Sequence, residues 1–206
     1  MKPRLAALLV PVLLVLAGCT ATGGGEGSAT GPTRAARPSP FADCATLTTA
    51  PGPTPTPTGS AVADTGSPLP ELVLSCFTGG APVALRDIHG PAVINVWASW
   101  CPPCRQELPA FQRLSVRAAG QLQVIGVNSR DSRDGAQAIG EDFGIRFPVL
   151  FDQGEALQRE LRRTAVPLTL LVDAQGRIAH TDTSGALDDA RLADLVRRHL
   201  GLVVPA

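Results

Sequence analysis

Lysine is almost missing from this chain: Lys2 is the only one among 18 basic residues, and 18 acidic residues balance them. Beyond the first four residues no basic cluster is dense enough to track a phosphate backbone, which excludes nucleic acid as a partner class. Long apolar runs are missing too, since the run from Leu5 to Ala17 is too short to cross a bilayer. There is no internal repeat. The only histidines, His89, His180 and His199, are spaced neither as metal ligands nor as half of a Cys–His dyad, so all three are expected on the surface. No metal site and no cofactor is expected.

What is present begins with a targeting segment. Lys2 and Arg4 precede the apolar run, as in a secretory signal, and the run ends in Leu16-Ala17-Gly18-Cys19. That ending resembles the lipobox of bacterial lipoproteins, which implies removal of residues 1–18 as a signal peptide. Cys19 would become the mature N-terminus and its thiol would carry diacylglycerol, anchoring the protein to the membrane outside the cytoplasm. Residues 19–68 are rich in Gly, Ser, Thr, Ala and Pro, including Gly23-Gly24-Gly25 and the Pro-Thr repeat through Thr58. Such a segment buries no core and reads as a tether, with Phe41 to Leu47 as a partial exception. Residues 69–206 are the right size for one compact domain, expected to be monomeric.

The hydrophobic pattern of that domain alternates. A hairpin is expected from Glu71–Ser75 and Val83–Leu85 around Thr78-Gly79-Gly80. Ala92–Trp97 and Leu122–Val127 are nearly continuous in apolar residues, as in strands covered on both faces, and Leu108, Phe111, Leu114 and Ala118 between them recur at helical spacing. Ala136, Ile139 and Phe143 suggest a second helix, Phe147–Phe151 a short strand, and Glu155–Arg163 a short helix. Leu168–Val172, a turn at Asp173–Gly176 and a strand through Ile178 form a second hairpin. A last helix follows, with acidic Asp188 and Asp189 at its start, basic residues at its end and Gly201 as its stop. This order predicts an α/β fold of the thioredoxin type: a central mixed sheet flanked by helices, with an additional N-terminal hairpin.

Five cysteines are present, and lipidation of Cys19 leaves four in an oxidising compartment. Cys101 and Cys104 stand three apart where a buried strand gives way to a helix, within disulfide reach on one side of the first turn. A sulfur at the helix start faces unpaired backbone N–H groups that stabilise its thiolate, which suits Cys101 as a nucleophile and Cys104 as the thiol that resolves. The proposed chemistry requires an accessible Cys101. Pro102 and Pro103 lack N–H groups and remove two donors, so the stabilisation is moderate and a reductant is expected, not a strong oxidase. Cys44 and Cys76 are left to pair with each other, either as a structural fastening of the tether to the first hairpin or as a second redox pair. Together the four could also supply a zinc site, although a second close pair is absent.

The stretch Val93-Ile-Asn-Val-Trp-Ala-Ser-Trp-Cys-Pro-Pro-Cys-Arg-Gln-Glu-Leu-Pro109 strongly resembles the TlpA and ResA family of extracytoplasmic thiol–disulfide oxidoreductases. The resemblance implies a membrane-tethered reductant of disulfides in other exported proteins, often apocytochrome c, recharged by a thiol–disulfide donor in the membrane. It implies catalytic roles for Cys101, Cys104 and Glu107, the last lying close to the redox pair, where a partly buried carboxylate could take the resolving thiol's proton. The alternative for Glu107 is a plain first-turn complement to the helix dipole. Asn95 stands where cytoplasmic thioredoxins have a buried aspartate, so acid–base duty falls to Glu107. Val166-Pro167 resembles the family's cis-proline loop, which implies substrate-binding roles for both residues, with Trp100 and Pro102 on the same partner-facing surface. Trp97 is expected in the core.

Two other functions fit the same elements. A peroxiredoxin-like peroxidase would need a Pro-x-x-x-Thr-x-x-Cys loop, and no threonine occurs from Ala92 to Cys101. A redox-inert binding lipoprotein would use the fold alone.

Overall fold

The structure is a computed structural model that describes residues 37–48 and 66–204. The expected signal peptide, Cys19 and most of the expected tether lie outside the described residues. Eight strands, β1 (Ser67–Pro68), β2 (Val73–Cys76), β3 (Val83–Ala84), β4 (Ala92–Trp97), β5 (Gln123–Ser129), β6 (Val149–Asp152), β7 (Leu168–Val172) and β8 (Arg177–Asp182), form one sheet in the order β1-β8-β7-β4-β5-β6-β2-β3. β4, β5 and β6 run parallel, and the pairings on either side of them are antiparallel. Three α-helices connect them, α1 (Pro102–Arg117), α2 (Arg133–Asp142) and α3 (Ala156–Glu160), and α4 (Asp189–Leu200) follows β8.

β4 is buried at all six positions, because both of its faces are covered. Its alternation divides the interior. Val93 and Trp97 join Leu108, Phe111 and Leu114 of α1, Ile139 of α2 and Leu192, Leu195 and Val196 of α4 in one cluster. Ala92, Ile94 and Val96 join Ile125, Leu150, Leu157, Leu168 and Leu170 in the other. The closing helix starts at Asp188, whose carboxylate accepts from the Arg191 N–H, and stops at Gly201 with φ 67°.

The packed unit begins earlier than residue 69. Phe41 inserts edge-on against Phe77, with ring centroids 4.8 Å apart, and joins the first cluster, while Cys44 and Leu47 join the second. The Ala42 N–H donates to the Arg146 carbonyl, tying the strap to the loop before β6. A polar stretch with one aromatic and one leucine thus completes a core that the globular segment leaves open. The predicted surface placement also needs correction for two histidines. His180 on β8 and His199 on α4 are half-buried and stack at 3.9 Å with ring planes 9° apart, because β8 packs beneath the last helix; His89 is exposed.

Candidate active site

α1 starts at the carboxyl end of a central parallel strand, where open sheets place their ligand sites. Cys101 is the N-cap of that helix, Pro102 and Pro103 fill its first two positions, and the Cys104 N–H points at Cys101 Sγ from 3.2 Å. With both prolines lacking N–H groups, this amide is the donor the first turn offers the sulfur. Cys101 and Cys104 are joined as a disulfide with Cα atoms 5.3 Å apart. Cys104 is fully buried and Cys101 keeps 3% of its surface, so in the oxidised state the Cys101 sulfur is largely covered, less accessible than its position at a helix start suggests. Trp100, 55% exposed, and the exposed Pro102 flank it and mark the direction from which a partner can approach.

The start of β7 reaches this point by register. Val96 of β4 pairs with Leu168 of antiparallel β7, so the preceding Val166-Pro167 runs beside the loop that follows β4. The Val166–Pro167 bond is cis, Pro167 is buried, and Val166 packs against both core clusters. A second cis bond, Gly90–Pro91, stands at the other end of β4. It needs glycine: a Cβ on Gly90 would lie 1.7 Å from the Asp173 carbonyl oxygen.

Glu107, one turn beyond Cys104, is fully buried and lies past the first turn of α1, which holds no acidic residue, so it does not act as a first-turn complement to the helix dipole. Its Oε1 accepts from the Asn95 amide at 2.6 Å and its Oε2 from the Leu187 N–H at 3.1 Å. Its pKa stands at about 7, above the usual 4.5, chiefly because burial pushes it up; the two donors pull it down by less, and Asp182 pushes it up further. Sheet register explains the last contribution. Asn95, Thr169 and Asp182 occupy one row across β4, β7 and β8, with side chains on the face that α1 covers. The neutral Asn95 hands the carboxyl to Glu107 and also holds it, a contact the spacing alone does not reveal. Buried beside the redox pair and poised near neutrality, Glu107 can exchange a proton at physiological pH.

Cys44 and Cys76 form a second disulfide, with Cα atoms 5.9 Å apart, and both are 2% exposed. They lie in the cluster on one face of the sheet and Cys101 and Cys104 in the cluster on the other. The two pairs thus pack in different halves of the interior, an arrangement compatible with a fastening. Paired two by two, the four cysteines form no zinc site; among the described residues no group of metal-ligating side chains occurs.

Sequence reasoning missed one group here. Asp131, after β5, accepts hydrogen bonds from both the N–H and the hydroxyl of Ser99, two residues before Cys101. An acidic residue just past a parallel strand is the signal that could have found it.

The AhpC/TSA family model matches residues 65–181. Thioredoxin-like protein YneN of Bacillus subtilis is 32% identical over 117 residues, which cover 55% of this chain and 68% of that protein. Thiol-disulfide oxidoreductase ResA of Bacillus subtilis is 27% identical over 143 residues, 68% of this chain and 76% of the other. Among solved structures, a secreted thiol-disulfide isomerase from Corynebacterium glutamicum superposes with a TM-score of 0.54 at 28% identity, over 65% of this chain and 83% of that one.

Proposed function

This chain belongs to the AhpC/TSA family, and from that premise we propose that it is an extracytoplasmic thiol–disulfide oxidoreductase, lipid-anchored through Cys19, that reduces disulfides in exported proteins, apocytochrome c among the candidate clients. The observation that carries the reading is the Cys101–Cys104 pair at the start of α1 with the buried Glu107 carboxyl one turn beyond.

In the reduced protein the Cys101 thiolate attacks one sulfur of a client disulfide. The client S–S bond breaks, a mixed disulfide forms, and the first client sulfur leaves as thiolate. Cys104 then gives its proton to Glu107 and attacks Cys101 Sγ, which releases the second client sulfur and leaves the Cys101–Cys104 disulfide. Two electrons have passed to the client. A membrane thiol–disulfide donor returns them, and Trp100, Pro102, Val166 and Pro167 supply the surface on which either partner rests. The stretch from Ala92 to Cys101 without threonine speaks against a peroxidase.

The test is a trap. Cys104→Ser should hold clients on Cys101 as mixed disulfides that dithiothreitol releases, and the wild type should reduce insulin in the presence of dithiothreitol. An untrapped, inactive protein refutes the activity. Loss of lipid label and of membrane retention in Cys19→Ala tests the anchor separately.

A further inference from the structure

The loop that carries the nucleophile is held from outside its own chain segment. β4 and β5 run parallel with Trp97 paired to Asn128, so the loops that leave them travel side by side. On one side residues 98–101 form a turn closed by the Cys101 N–H on the Ala98 carbonyl, with Ser99 and Trp100 at its two central positions. On the other side stand Arg130 and Asp131. The Arg130 carbonyl accepts from the Trp100 indole Nε1 at 2.8 Å, and Arg130 adopts φ 51°, a left-handed conformation rare for a residue with a side chain. Asp131 accepts from the Ser99 N–H at 2.5 Å and the Ser99 hydroxyl at 2.6 Å.

The carboxylate is itself fixed. It is 8% exposed, and the Asn128 amide at 2.8 Å and the Ser132 N–H at 2.8 Å complete four donors on its two oxygens. Two consecutive residues of one loop thereby hold two consecutive residues of the other. Gly135, in the first turn of α2, leaves the space: a Cβ there would lie 2.6 Å from Ser99 Oγ and 3.3 Å from Asp131 Oδ1. Capping of α2 does not account for the Ser99 contacts, because the Gly135 N–H is already taken by Ser132 Oγ at 3.0 Å.

We propose that Asp131 is a positioning residue for client recognition: by gripping Ser99 it sets the Ala98–Cys101 turn, and with it the angle at which exposed Trp100 and the Cys101 sulfur meet a client disulfide. The proposal rests on the oxidoreductase reading above. Asp131→Asn cannot replace the carboxylate, since in either amide orientation one of the Ser99 and Ser132 backbone N–H groups faces another donor. Ser99→Ala removes a single hydroxyl, and Gly135→Ala crowds Ser99 Oγ, and at 2.9 Å the capping Ser132 Oγ, without any change of charge.

The experiment measures kcat and KM for insulin in the full chain and in these three variants, together with acrylamide quenching of tryptophan emission in the oxidised proteins. Weakened docking of the client predicts KM raised about tenfold with kcat within about threefold in all three, and a Trp100 component that becomes more accessible to quencher. The Asp131→Asn, Ser99→Ala double variant should lose less than the sum of the two single losses, since both act on the same Asp131–Ser99 grip. Unchanged KM and unchanged quenching in Ser99→Ala and Gly135→Ala overturn the proposal, as does a fall in kcat that only follows loss of helical circular dichroism. Quenching reads the turn whether or not insulin is reduced. A wild type inert to insulin therefore sinks the oxidoreductase reading, while the fluorescence still decides whether the Asp131–Ser99 grip sets the turn that carries Trp100.

Discussion

Glu107→Gln should make the oxidised protein more stable at alkaline pH and leave it nearly unchanged under acid. Glu107 is buried, and its pKa rises from 4.5 to about 7 on folding. An acid with a higher pKa in the folded than in the unfolded chain binds its proton preferentially in the fold, so stability is greatest below pH 4.5 and falls as pH rises through about 7. At 1.36 kcal/mol per pH unit the loss above that window is about 3 kcal/mol. Glutamine removes the titration and keeps the shape. Asn95 Oδ1 has no hydrogen-bond partner, so a flipped Asn95 can accept from the new amide nitrogen while the glutamine oxygen accepts from the Leu187 N–H. Thermal unfolding with the disulfides kept intact should show the variant's midpoint raised by roughly 6–12 °C at pH 8 and shifted by no more than about 2 °C at pH 4.5. A midpoint lowered equally at both pH values would refute the reasoning, because Glu107 would then be acting only through its packing.

Three further outcomes follow from the same geometry. Cys44→Ser with Cys76→Ser opens a bridge between residues 32 apart and should cost about 4 kcal/mol in urea unfolding, with insulin reduction retained at a temperature where the variant is folded; lost turnover there would revive the second redox pair. Phe41→Ala empties the space between Phe77 and Trp97 and should cost about 3–5 kcal/mol by the same measurement, a loss foreign to a mere tether. Equilibration with glutathione should place the Cys101–Cys104 couple well below the roughly −120 mV of a strong oxidant such as DsbA, because Pro102 and Pro103 withhold two donors from the thiolate.

The sequence by itself determined the local elements and the redox pair. Buried strands, helix stops and a three-residue cysteine spacing are short-range patterns, written in apolar periodicity, in glycine at Gly201 and in the strand-to-helix junction before Cys104. Boundaries were less legible: Phe147 lies ahead of β6, and Leu85 enters a 3-10 turn instead of extending β3. Only the tertiary structure decided what depends on register and burial. It brought Asn95, Glu107 and Asp182 within one electrostatic neighbourhood, set Asp131 against Ser99, stacked His180 on His199, and placed the two disulfides in different halves of the interior. Each of these contacts joins residues distant in the chain, and a carboxylate's proton affinity is fixed by the water it loses and the donors it meets, which no stretch of neighbouring residues contains.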